Sequence, residues 1–189
     1  GKMYTYMYQA DLLCEDCGIA VKNDLNSQGK EPENIENEYS FDSDDYPKGP
    51  YPDGGGESDV PCHCGSCGAF LENPLTRDGL EYVCEEIKSS LIPGNPLTQT
   101  VIEEWIGFYG FSLSVHHIGY CGMIFEEDYM LSSVSDARRA AADAIKRYRN
   151  RDYVVSTLKN GLRWEIVEPE DSGMVPDDCG YLKIVIVNP

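Results

Sequence analysis

The feature that most restricts how this chain can fold is a five-residue pattern used twice. Cys14-Glu-Asp-Cys17-Gly18 recurs as Cys64-Gly-Ser-Cys67-Gly68. Two residues between cysteines let both sulfurs approach one ion from a tight turn, and the glycine that follows permits the backbone to fold beneath them. Two such turns supply four thiolates, so segments separated by 46 residues must meet in space. The second pattern is crowded, because Cys62, His63, Cys64 and Cys67 lie within six residues. Cys62 or His63 could therefore stand in for Cys64, but Cys64 restores the CxxCG spacing and is the preferred ligand. The competing readings are reduced surface thiols, disulfides, or a redox CxxC, and the last leaves one of the two pairs without a purpose.

Over these ten residues the chain resembles the paired knuckles of zinc ribbons and related zinc-binding folds. The resemblance implies metal binding rather than an activity, and the long separation between the pairs departs from ribbon topology. Four thiolates close the coordination shell, whereas a catalytic site keeps a position open for water. The expected cofactor is thus a structural zinc on Cys14, Cys17, Cys64 and Cys67, with no catalytic residue assigned. Structural zinc contributes about 10 to 16 kcal/mol of apparent free energy in small zinc peptides, enough to hold the two segments together.

A chain of 189 residues buries about 70% of its unfolded surface and can build a core without staples. It carries 15 basic and 33 acidic side chains, a net charge of −18. The excess is uneven: residues 11 to 60 hold 14 carboxylates against Lys22, Lys30 and Lys48, while residues 138 to 163 hold eight of the basic side chains. A field of this sign repels nucleic acid and anionic membranes and suits solubility or a basic partner. No run approaches the roughly 20 apolar residues of a membrane helix, and the N-terminus lacks a signal-peptide pattern. The expectation is a soluble cytoplasmic protein whose eight cysteines serve metal and core positions.

The expected fold is α+β, a mostly antiparallel sheet packed with about three helices plus a zinc-braced lobe with a long acidic loop. Residues 1 to 75 form the N-terminal strand and lobe, and residues 76 to 189 the core. Alternation of Tyr4, Tyr6 and Tyr8 predicts one strand over residues 3 to 11. Residues 23 to 61, rich in Asn, Glu, Asp, Pro, Gly and Ser, read as an irregular loop held at both ends by the cysteine pairs. Helices are predicted from Thr76 to Ser89, from a cap at Asn95-Pro96 through Phe108, and from Ser133 or Ser135 to Arg149. Between the last two, residues 111 to 131 read as one strand or two. Asn160-Gly161 predicts a type I′ hairpin that puts Tyr153, Val155 and Thr157 on one face with Leu162, Trp164 and Ile166. A last strand over residues 181 to 187 is apolar on both faces and belongs inside the sheet.

Other chemistry is sparse. His116 and His117, near Ser112, Ser114 and Cys121, invite a nucleophile-and-base reading, but adjacent histidines on a strand face opposite ways. One packed and one exposed histidine is the plainer expectation. Cys84, Cys121 and Cys179 fit core or near-surface positions. Arg138, Arg139, Lys146, Arg147, Arg149 and Arg151 make a basic helix face that complements the helix dipole and the acidic excess.

Three functions follow. The first is a non-catalytic acidic zinc protein acting by protein–protein interaction or regulation on a basic or nucleic-acid-binding protein. In size and charge it is similar to phage-encoded inhibitors and adaptors. The second is an enzyme with a pocket near His116 or His117, and the third a nucleic-acid binder through the basic helix at residues 135 to 151.

Overall fold

The tyrosine-rich N-terminus does not run on as one strand into the first cysteine pair. In a computed structural model, which describes residues 3–91, 97–119, 122–151, 153–157, 163–167 and 180–187, it forms a hairpin of β1 (Thr5–Tyr8) and β2 (Asp11–Cys14). Gln9 and Ala10 turn the chain at φ 51° and 62°, the left-handed geometry of a type I′ turn. Neither residue signals that turn, so alternation alone reads straight through it. Helix α1 (Glu15–Ser27) follows at once with Cys14 as its N-cap, and Glu15 and Asp16 complement the dipole of its first turn. The first cysteine pair is therefore a strand-to-helix junction.

Residues 23 to 61 also differ from expectation. They contain the end of α1, a 3-10 turn at Glu38–Ser40, and strand β3 (Lys48–Tyr51). That strand pairs antiparallel with β1, giving a sheet in the order β2-β1-β3. Side-chain bonds replace periodicity here. The Glu38 carboxylate accepts from the Gly49 amide at 2.7 Å and the Tyr51 hydroxyl at 2.9 Å. Burial and this hydrogen bond push the Tyr51 phenol up to about 12. Tyr46 is 1% exposed and donates to Asn26 Oδ1 at 2.9 Å. Lys22 Nζ lies 4.5 Å from the Tyr6 ring centroid and 5.6 Å from that of Tyr46, and burial lowers its pKa. Hydropathy patterns cannot register bonds of this kind.

The chain divides into two compact units, Gly1–Tyr82 and Val83–Pro189. The division falls inside α2 (Arg77–Ser90), where Thr76 Oγ1 accepts from the Gly79 amide at 3.1 Å. In the second unit Val83, Cys84 and Ile87 are buried, as their helical spacing predicts. Helix α3 (Gln99–Tyr109) starts at a Thr98 cap, whose hydroxyl accepts from the Val101 amide. The expected Asn95-Pro96 cap lies outside the described residues. Ile102, Trp105 and Ile106 face the core, whereas Phe108 is exposed. Helix α4 (Val134–Arg149) is capped by Ser133 and buries Val134, four alanines and Tyr148.

The second sheet has five antiparallel strands in the order β5-β4-β8-β7-β6. Its members are β4 (Ser112–Gly119), β5 (Gly122–Met130), β6 (Val154–Thr157), β7 (Arg163–Val167) and β8 (Gly180–Val187). The run at residues 111 to 131 is thus two strands. Val155 pairs with Ile166 and Thr157 with Trp164, the register that an Asn160-Gly161 turn imposes, although the turn itself lies outside the described residues. The last strand, β8, lies between β4 and β7, which explains its two apolar faces. Among the described residues no helix is long and apolar enough to cross a membrane.

Gly18 offers a test of the first unit. An added Cβ would lie 2.2 Å from Tyr6 Cδ2 and 2.6 Å from Cγ, atoms near the root of a buried ring. Although Gly→Ala inside a helix ordinarily stabilises by about 1 kcal/mol, Gly18→Ala should destabilise by about 1 to 3 kcal/mol through overpacking, read from urea denaturation.

Candidate metal centre

The two cysteine pairs come together by different routes. Cys14 closes β2 and Cys17 lies in the first turn of α1, so helix geometry fixes their spacing. The second pair sits at the tip of a tight hairpin. Leu71 N–H donates to Cys62 C=O at 2.9 Å, Cys64 N–H to Ala69 C=O at 2.8 Å, and Gly68 N–H to Cys64 C=O at 2.8 Å. Gly68 at φ 77° makes the left-handed turn that this tip requires. Gly18 is instead helical, and there the glycine is needed for close packing against Tyr6.

The tip docks on β2 through the Gly65 amide, which donates to Leu12 C=O at 2.9 Å. A Cβ at Gly65 would meet Asp11 Cγ at 2.6 Å, so any larger residue would have to turn the exposed Asp11 side chain aside. Beneath the sulfurs, Leu13, Cys64 and Leu71 form a buried cluster packed by Leu12, Val21 and Cys62.

The Sγ atoms of Cys14, Cys17, Cys64 and Cys67 all lie within 4.8 Å of one another, and Cys14 and Cys67 are 3.7 Å apart. A tetrahedron with metal–sulfur bonds of about 2.3 Å has edges of about 3.8 Å, so the group could hold a metal ion. Cys64 is buried, Cys14 and Cys17 are half-buried, and Cys67 is exposed. Cys62 and His63 are not part of the group. The Cys62 sulfur lies 3.5 Å from Ser58 Oγ and 3.8 Å from Val60 C=O. The His63 ring packs 5.5 Å from that of Phe70.

Electrostatics separates the thiols of Cys64, Cys14 and Cys17. Burial raises the Cys64 pKa, but the amides of Cys67, Cys14 and Ser66 outweigh it and bring the thiol down to about 6. Burial pushes Cys14 up to about 12, with its sulfur neighbours adding to the effect. Cys17 is also raised: Ser66 and Cys14 favour its thiolate, but burial, Cys67 and Cys64 oppose it. A cation among the four sulfurs would favour their thiolate forms, since metal binding displaces thiol protons.

The histidines on β4 part as alternation requires. His117 is 1% exposed; its Nε2 lies 2.7 Å from Glu127 Oε2 and its Nδ1 2.7 Å from the Tyr148 hydroxyl. Arg147 also donates to Glu127. The arrangement is satisfied when Nε2–H donates to the carboxylate and Nδ1 accepts from tyrosine. Both nitrogens are thereby engaged with groups of the fold, and the ring is closed off from solvent. On the opposite face His116 is partly exposed and pairs with Glu126 at 3.4 Å. Cys84 is buried and donates to Ile186 C=O at 3.7 Å, while Cys121 and Cys179 lie outside the described residues. On the basic helix, Arg138 donates to Ser90 C=O, Arg139 pairs with Asp136, and Arg151 stacks on Tyr153 at 5.2 Å.

Sequence reasoning missed Gly65 as a docking point and Tyr148 as a histidine partner. Neither carries a local signal, since each acts across a long loop or between elements. No protein-family model matches the chain, and no curated protein or solved structure matches it at a significant level.

Two outcomes are expected. Since removing even an outer partner of a metal ligand costs about 10- to 100-fold in affinity, Cys64→Ser should weaken metal binding by at least about 100-fold. Cys62→Ser should leave it within about twofold, as read by metal analysis after dialysis. The second concerns His117, whose pKa burial lowers from 6.5. A lowered pKa favours the neutral form in the fold, so its stabilisation is complete above about 6.5 and is lost as pH falls through the folded value. Urea midpoints should therefore drop more steeply below that pH in the wild type than in His117→Gln.

Proposed function

We propose that this chain is a non-catalytic, zinc-braced interaction protein that presents an acidic surface to a basic protein partner. The observation that carries the reading is the segment from residue 31 to 45. It holds seven carboxylates and no basic side chain, and Glu31, Glu33, Glu36, Asp42, Asp44 and Asp45 are exposed.

Hydrogen bonds hold the segment in a defined shape. Asn37 caps its 3-10 turn, Ser40 Oγ donates to Asn34 C=O at 3.0 Å, and the Gln9 amide donates to Ser43 C=O at 3.1 Å. Three lysines, Lys22, Lys30 and Lys48, lie near it in sequence, too few to offset seven carboxylates. Lys22 faces the rings of Tyr6 and Tyr46, and Lys48 lies 5.5 Å from the ring of Phe41. Tyr39, 99% exposed, stands among these carboxylates; exposed aromatic side chains are common anchors in protein recognition. A prearranged anionic surface selects cationic partners and accelerates their approach.

Zinc is the ion that best fits four thiolates in a tetrahedral, closed arrangement, and its role is then to brace the fold. An enzyme built on His117 is less well supported because the ring is 1% exposed, which closes it off from a substrate. Nucleic-acid binding through α4 is also less favoured, since Arg138, Arg139 and Arg147 have partners of their own.

The test combines metal analysis with partner capture. The purified chain should contain about one zinc, the stoichiometry of a closed four-thiolate site. Cross-linking in host lysate should join residues 31 to 45 to lysines of a basic protein. Reversing Glu33, Glu36 and Asp44 to lysine should weaken that complex by about tenfold or more at low salt, because rim charges act mainly on association rate and salt dependence. Tight, salt-sensitive binding of duplex DNA, lost on neutralising Lys146 and Arg149, would sink the proposal.

A further inference from the structure

The second cysteine pair is carried on a hairpin whose base is closed by a side chain. Asn73 is fully buried at 0% exposure. Its Oδ1 accepts the Cys62 amide at 2.7 Å. Its Nδ2 donates to Ser58 Oγ at 3.0 Å, Val60 C=O at 3.2 Å and Pro74 C=O at 3.1 Å. The carboxamide thus ties the strand entering the hairpin to the strand leaving it. The Cys62–Leu71 backbone bond is the next rung toward the tip.

Two further features hold Asn73 in place. Glu72, just before it, adopts φ 53°, a left-handed conformation that a side chain resists unless its surroundings impose it. Gly54 packs beneath: a Cβ there would lie 2.1 Å from Leu71 C=O and 2.8 Å from the Asn73 nitrogen. The hairpin base is therefore fixed from inside by an amide and from below by a backbone that tolerates no side chain.

From this geometry we infer that Asn73 is the positioning residue of the metal centre. Holding Cys62 N–H fixes the strand that leads into Cys64, and so sets where the Cys64 and Cys67 sulfurs stand relative to Cys14 and Cys17. Asn73 touches no metal; it acts through the hairpin, as outer partners of metal ligands do. The assignment rests on the four-thiolate reading and deepens it, because it names what orients the second pair.

The test uses the full chain with Co²⁺ alone as the probe, read by thiolate charge-transfer and d–d absorption. The wild type should give a tetrahedral four-thiolate spectrum, and its absence would overturn the metal reading together with this one. Given that spectrum, Asn73→Leu, close in size but without the hydrogen bonds, should lower Co²⁺ affinity by about 10- to 100-fold and shift the d–d bands of the saturated protein. Ser58→Ala, at a half-buried site, removes one acceptor and keeps the fold; it should move both readouts the same way by a smaller factor. A purely structural Asn73 would lower thermal stability and leave the saturated spectrum where it was. Wild-type affinity and an unshifted saturated spectrum in Ser58→Ala, and in Asn73→Leu wherever that variant folds, overturn the inference while the metal centre stands.

Discussion

Four sulfurs within 4.8 Å of one another cannot all ionise unless a cation stands among them, and the first unit is arranged around that electrostatic demand. Amides converge on Cys64 and make its thiolate accessible near neutrality, while burial holds the Cys14 thiol high. With an ion bound, the mutual repulsion becomes shared attraction, and the junction of β2 and α1 is joined to the hairpin tip. The Gly65 to Leu12 backbone bond and the cluster of Leu13, Cys64 and Leu71 hold the two together from the protein side.

The same constraint accounts for how the acidic segment is held. Its chain enters from α1, which begins at one cysteine pair, and returns to the hairpin that carries the other. Between these ends the backbone is fixed by particular bonds: Glu38 to Gly49 and Tyr51, Tyr46 to Asn26, and the lysines to aromatic rings. Carboxylates not used in these bonds point outward. A charged surface held in a defined shape suits the recognition proposed above, because little conformational entropy is left to lose on binding.

The second unit illustrates a different economy. Its sheet and helices follow hydrophobic periodicity closely: α2, α4 and the pairing of β6 with β7 fall where their residues place them. What periodicity does not convey is the polar core, in which His117 bridges Glu127 and Tyr148 from three separate elements. Alternation predicts that one histidine of the pair faces inward. It does not predict that its two nitrogens are both occupied by partners from other elements.

The spacing of Cys14, Cys17, Cys64 and Cys67 was legible from sequence because two residues between thiols is a local geometric requirement of a shared ion. The α+β class, the helix stripes and the central β8 were legible because burial imposes periods on the chain. Tertiary structure alone decided that Gln9-Ala10 is a turn, that the acidic stretch contains β3, that Thr98 caps α3, and that Asn73 closes the hairpin. The Gln9-Ala10 turn and the Thr98 cap are local features that hydropathy alternation does not record; for β3 and Asn73 the deciding energy is hydrogen bonding between residues well separated in sequence. Interactions of that kind leave no period and no local composition to read.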